Sequence, residues 1–154
     1  TPEDADAGMW SAIAQTRTRK YYEIVSKDWG TPDTSNLEEA YNRGDLLAAS
    51  HILLQKRPEG ISAGLNDSIR REAERLATQV TSANFARIAD QRTEDPGSKG
   101  RGGNYGVFPR GAMVAEFDAG ILSVPPGGIT KVIETQYGYH IIRRSTWDEV
   151  KDQF

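Results

Sequence analysis

The run Leu46-Leu47-Ala48-Ala49-Ser50-His51-Ile52-Leu53-Leu54 constrains this chain more than any other stretch. It has the length of a strand and is dense in carbon, with only Ser50 and His51 interrupting it. The breakers Pro58, Gly60 and Gly64 follow at once, so the run opens a sheet and does not continue a helix.

Downstream, Asn66, Asp67 and Ser68 are N-cap candidates for a helix that places Ile69, Ala73, Leu76 and Val80 on one face. Asn84 can cap a second helix, with Phe85, Ile88 and Ala89 as its buried face. A turn-rich loop over 93–104 leads into a short strand over 105–108, and 113–122 reads as a third helix. Pro125-Pro126-Gly127-Gly128 is a turn that no helix or central strand can contain. The runs 129–135 and 139–144 flank Gln136-Tyr137-Gly138 as a hairpin. The resulting order, β-α-α-β-α-β-β, predicts a small α+β sheet with helices on its face.

Upstream, Met9, Trp10, Ile13, Ala14, Tyr21, Ile24 and Val25 recur at helical spacing between Gly8 and Asp28. Trp29-Gly30-Thr31-Pro32 ends that pattern, and a short helix over 37–43 follows, with Asn36 as its N-cap. At the other end, Thr146 and Glu149 match the capping box and announce a new helix. Three parts are therefore expected. Residues 1–45 are a helical extension or linker, 46–145 the main domain, and 146–154 the start of a C-terminal helix. A chain that starts at Thr1 and has no signal peptide reads as a piece of a longer protein.

A net charge of -3 and a pI near 5.4 argue against a dedicated nucleic-acid binder. The absence of cysteine excludes a thiol nucleophile and thiolate metal sites. No apolar run approaches the ~20 residues needed to cross a bilayer as a helix. The glycines of 100–106 do not form a nucleotide-binding motif and are read as shaping a loop.

Five segments, in order, resemble the parvulin-type (PpiC) peptidyl-prolyl isomerases. They are Ala49-Ser50-His51-Ile52-Leu53-Leu54, Phe85-Ala86-Arg87-Ile88-Ala89, the stretch from Glu94 to Phe108, Gly111-Ala112-Met113-Val114 with Glu116-Phe117, and Thr135-Gln136-Tyr137-Gly138-Tyr139-His140-Ile141-Ile142. The resemblance covers residues 48–144. It implies the parvulin fold, a four-stranded antiparallel sheet with surrounding helices, here preceded by an N-terminal helical extension. It departs from the family pattern at Asn104-Tyr105, where Asp-Leu is common, and at Ala112, where Gln is common.

The resemblance also implies the site. His51, Asp95, His140 and Thr135 form the catalytic group, and Met113, Phe117 and Tyr105 wall the proline pocket. The reaction is rotation about an X–Pro bond, whose barrier of ~18–20 kcal/mol comes from partial C–N double-bond character. No covalent bond breaks, so the site needs only to favour the twisted amide. The histidine pair is expected to fix tautomers and polarise the site without acting as nucleophile and base. No cofactor is implied, and two histidines are too few for a metal site.

The substrates implied are proline-containing segments of unfolded or exported proteins. Lys56 and Arg57 are offset by Glu59, which predicts no phosphate requirement. Family habit places such a bacterial foldase outside the cytoplasm. The runner-up function is a peptide-binding or chaperone module of the same fold with little catalysis. The discriminating feature is the joint presence of His51, Asp95, Met113, Phe117 and His140.

Overall fold

The structure, a computed structural model, describes residues 34–58, 60 and 63–153. The helix expected over 8–28 lies outside the described residues. The elements run α1 (Thr34–Arg43), β1 (Leu46–Gln55), α2 (Ala63–Ala77), α3 (Phe85–Arg92), β2 (Asn104–Pro109), α4 (Ala115–Leu122), β3 (Ile133–Thr135), β4 (Gly138–Arg144) and α5 (Trp147–Val150). The four strands form one antiparallel sheet in the order β2-β1-β4-β3. This is the α+β architecture that the element order predicts.

β1 is flanked by strands on both edges and covered on both faces, which is why it reads as nearly unbroken carbon. Eight of its ten residues are buried. Successive strand side chains point to opposite faces. Leu47 and Ala49 therefore pack with Phe117 and Ile121 of α4 on the front. Ile52 packs with Leu76, Phe85, Ile88 and Ala89 of α2 and α3 on the back. Farther along the back, Leu46 and Ala48 meet Leu37, Ala40 and Tyr41 of α1 and Val150 of α5.

Three expected helix starts shift. α1 begins at Thr34, so Asn36 lies inside the helix and is not its N-cap. α2 begins at Ala63, which puts Asn66, Asp67 and Ser68 within it. There Ser68 bonds back to the Gly64 carbonyl, Asp67 pairs with Arg70 and Arg71, and Asn66 bonds the Arg57 backbone. Short polar side chains do such work in helices as well as at caps, so their presence alone does not mark a boundary. α2 ends at Ala77, leaving Val80 beyond the helix although still packed against the back cluster. α4 begins at Ala115 after an extended Val114, so Met113 sits ahead of the helix and not on it.

Two expectations hold in detail. Phe85, Ile88 and Ala89 are the buried residues of α3, with Asn84 as its N-cap residue. The Asn84 side chain makes no cap bond and instead bridges the Thr81 amide and the Gln79 carbonyl. Thr146 and Glu149 form a complete capping box at α5. The hairpin is present, but its first strand is shorter than 129–135. The Ile142 amide donates to the Thr130 hydroxyl oxygen at 3.1 Å in place of a backbone carbonyl, and the ladder resumes only at Ile133.

One irregularity matters for the site. In the β1–β2 ladder Ala48 faces Val107 but Ser50 faces Asn104, so Tyr105 and Gly106 together oppose Ala49. Gly106 has φ of 74°, the left-handed conformation that such a bulge uses. Regular alternation from Phe108, which faces the front, would send Tyr105 to the back. The bulge returns it to the front, against His51.

Candidate active site

The centre of the front face is a chain of buried polar groups. His51 on β1 and His140 on β4 approach through Nδ1 atoms 3.1 Å apart, although 89 positions separate them. The register explains it: Leu53 pairs with His140 and Ile142 with His51, so the two imidazoles meet diagonally across the ladder. His51 Nε2 lies 2.8 Å from Asp95 Oδ2, and His140 Nε2 lies 2.7 Å from Thr135 Oγ1. His51, Asp95, His140 and Thr135 are all buried.

The carboxylate sets the direction of this chain. It only accepts, so His51 Nε2 carries hydrogen and, in the neutral ring, Nδ1 accepts. His140 Nδ1–H must then donate to His51, and His140 Nε2 accepts the Thr135 hydroxyl. Burial lowers the pKa of His51 despite its bond to Asp95. Burial, and then the proximity of His51, lower that of His140 well below the usual value. Both rings are therefore neutral at pH 7, and the only formal charge in the chain is on Asp95. Burial raises the Asp95 pKa, but bonds from His51, Ser98 and the Gly97 amide outweigh it and bring it to about 2.

Two residues that the sequence reading did not single out hold Asp95. Ser98 Oγ donates to Asp95 Oδ2 and lies 3.2 Å from His51 Nε2. Thr93 Oγ1 accepts from the Leu53 and Asp95 amides at 3.0 and 3.3 Å, pinning the turn to β1. The Asp-Pro-Gly-Ser turn, with Ser three residues after Asp, was the available signal. The glycine loop does the shaping expected of it. Asp90 of α3 accepts from the Gly100 and Gly102 amides, and the Gly103 carbonyl accepts from the His51 amide at 2.9 Å. A Cβ at Gly103 would lie 2.2 Å from the His51 carbonyl oxygen, so only glycine allows this approach.

Aromatic rings wall the histidines. The Tyr105 and His51 ring centroids are 4.3 Å apart. Phe117 stands nearly perpendicular to both imidazoles, at 5.7 Å from His51 and 5.5 Å from His140. Tyr105 is buried, and burial followed by the charge and hydrogen bond of Asp95 pushes its pKa far up, so it stays neutral. Met113 packs against the same cluster and, alone among the seven expected site residues, is only partly buried. Its place there does not come from i, i+4 spacing on a helix, as the sequence suggested. It comes from the turn ahead of α4.

At the rim, Lys56 pairs with Glu134 at 2.6 Å and Arg57 with Glu94 at 2.7 Å. Arg70 and Arg71 pair with Asp67. Among the described residues, no three metal-ligating side chains are grouped to hold an ion.

Comparison with known proteins supplies the family. Residues 35–146 match the model of the PPIC-type PPIase domain. The foldase protein PrsA of Caldanaerobacter subterraneus is 43% identical over 72 residues, covering 44% of this chain and 24% of that protein. PrsA of a Geobacillus species is 33% identical over 106 residues, covering 68% of this chain and 34% of its own length. The chain thus spans about a quarter to a third of those relatives. The crystal structure of the peptidylprolyl isomerase PrsA from Bacillus anthracis superposes with a TM-score of 0.54 at 23% identity, over 93% of this chain and 73% of that one, and shows the shared fold. With a family match over most of its length and the fold to go with it, this chain belongs to the PPIC-type, or parvulin-type, peptidyl-prolyl isomerases.

Proposed function

We propose that this domain is an active peptidyl-prolyl isomerase that assists protein folding by non-covalent catalysis, with His51, Asp95, His140 and Thr135 as its polar core and Tyr105, Met113 and Phe117 as its proline pocket. The observation that carries this reading is the continuous buried chain Asp95–His51–His140–Thr135, whose two imidazoles meet the Phe117 ring in T-shaped contacts.

Such an arrangement suits rotation about an amide. The planar amide has more charge separation than the twisted one, so a carbon-lined pocket with neutral imidazoles favours the twisted form. The histidines are buried among hydrogen bonds they already make, which fits a preorganised scaffold and leaves no free acid or base. Phe117 and Met113 anchor the ring while the preceding carbonyl turns.

A carboxylate beside each of Lys56 and Arg57, Glu134 and Glu94, weakens the local positive field that a phosphate would need, which supports the absence of a phosphate requirement. The expected substrates are proline-containing segments of unfolded or exported proteins. The reading includes an extracytoplasmic setting and a larger parent protein, in which 46–145 is the isomerase unit. Residues 1–45 and 146–154 then belong to flanking helical segments. α1 and α5 pack together on the back of the sheet, in one buried cluster with Leu46, Ala48 and Val107. Among the described residues no helix is long and apolar enough to cross a membrane.

One observation favours the runner-up reading, a peptide binder with little catalysis. Tyr105 lies over His51 and narrows the space a smaller residue would leave. NMR exchange on an Ala-Xaa-Pro-Phe peptide separates the two. The isomerase reading requires a rate above the uncatalysed one that falls with Met113→Ala. A wild type at the uncatalysed rate that still binds the peptide establishes the binder. Matched peptides with and without phosphate before proline test the rim.

A further inference from the structure

On its outer side α4 leaves a groove of about 400 Å3 whose carbon walls are Met113, Ala115, Ala119 and Leu122. Arg110, Gly111 and Asp118 complete it. That size takes a long side chain with part of its peptide backbone. Met113 links the groove to the residues of the candidate proline pocket, since it lines the groove and also packs against the Tyr105, Phe108 and Phe117 cluster.

Asp118 sets the chemistry. It is only 7% exposed, and Oδ2 accepts the Gly111 amide at 2.6 Å. Oδ1 is buried and has no hydrogen-bond partner. A carboxylate oxygen in that state calls for a donor; among the groove-lining residues only Arg110 carries a side-chain donor, and no hydrogen bond joins it to Oδ1. Arg110 is exposed and makes no ion pair with Asp118; burial raises the Asp118 pKa, which the Gly111 bond and the charge of Arg110 draw back in part.

We propose that this groove is a subsite for a lysine or arginine side chain of the substrate, flanking the proline, with its alkyl stem along Ala115, Ala119 and Leu122 and its cationic head on Asp118 Oδ1. Lysine and arginine end a stem of methylenes in a cationic donor, which matches carbon walls and a buried anionic acceptor together. An aliphatic side chain leaves Oδ1 unpaired, and an acidic one meets the buried Asp118 carboxylate. Met113, unbranched and only partly buried, is the wall able to yield as the head passes. The proposal rests on the isomerase reading for the position of the proline.

A set of proline heptapeptides with lysine, norleucine or glutamate at each position within three residues of the proline tests it. NMR exchange gives the isomerisation rate, and the Gly111 amide shift reports occupation of the groove. The expected result is one register in which lysine outperforms norleucine by about three- to tenfold and glutamate falls below both. In Asp118→Asn, whose amide oxygen still accepts from Gly111, the lysine-to-norleucine ratio should collapse towards one. A ratio near one at every register of the wild type overturns the subsite, and so does a ratio that survives Asp118→Asn. If no peptide is isomerised, the activity reading fails separately. The Gly111 shift then decides the subsite, a lysine-selective shift supporting it and an equal shift with norleucine overturning it.

Discussion

His51 and Ile52 are consecutive on β1, equally inaccessible to water, and held in place by opposite means. His140 and Ile141 repeat the arrangement on β4. On the back face, Ile52 and Ile141 pair directly and fill a carbon core with Leu76, Phe85, Ile88 and Ala89. On the front, the imidazoles are held by directional bonds to Asp95, Thr135 and each other. Packing tolerates exchange of similar volumes, whereas a chain of donors and acceptors fails when one member is lost. The back of the sheet thus supplies stability for a front whose polar groups are bound to one another.

Phe85→Ala should show the largest stability loss, about 3–5 kcal/mol in urea unfolding, because it empties the centre of the back core. The folded fraction should still isomerise its peptide. Loss of activity per folded molecule would break the division between the faces. Asp95→Ala should cost less, about 1–3 kcal/mol, by leaving the His51 Nε2–H and the Ser98 hydroxyl without their acceptor. It should nevertheless lower the isomerisation rate of the folded protein, which Phe85→Ala should not.

Gly106→Ala isolates the bulge. Its Cβ would meet only Gln153 Oε1 at 3.6 Å, so the cost is the left-handed backbone alone, about 1–2 kcal/mol. If the bulge is what keeps Tyr105 on the front, His51 ring shifts in NMR should change with it; unchanged shifts would separate the bulge from the site. Thr135→Val should cost about 1 kcal/mol, the typical net value of one hydrogen bond, by removing the donor to His140.

The pH profile sharpens the same contrast. His51 and His140 have lowered folded pKa values, so below about 6.5 the unfolded chain binds more protons and stability falls as the solution is acidified. Asp95, depressed to about 2, adds stability that is present above about 3.9 and is lost as pH falls towards 2. His140→Asn should flatten thermal melts between pH 7 and pH 5, while Ile141→Val should leave their slope alone. An unchanged slope in His140→Asn would show that His140 does not titrate with unfolding.

Much of this was legible in the residues. The buried face of α3, the capping box of α5, the breaker turn at Pro125-Pro126-Gly127-Gly128 and the strand character of β1 all depend on neighbours within a few positions. The site residues were named by resemblance in ordered segments, and the structure brings six of the seven into one buried cluster, with Met113 at its edge. The bond from Ser98 to Asp95, the anchoring of that turn by Thr93, and the departure of Met113 from α4 were not legible. Each depends on groups that meet across the fold, such as Thr93 and Leu53, 40 positions apart.

By itself the sequence determined the α+β order of elements and the residues that must leave water, because periodicity and turn chemistry act over short distances; the two histidines came from the resemblance of ordered segments. Tertiary structure decided which face each residue serves. One extra residue at Tyr105–Gly106 reverses the alternation of β2, and a diagonal register brings His51 to His140. Strand side chains alternate with a period of two, so a single-residue shift moves a side chain to the other face, and only the paired strand shows where that shift falls.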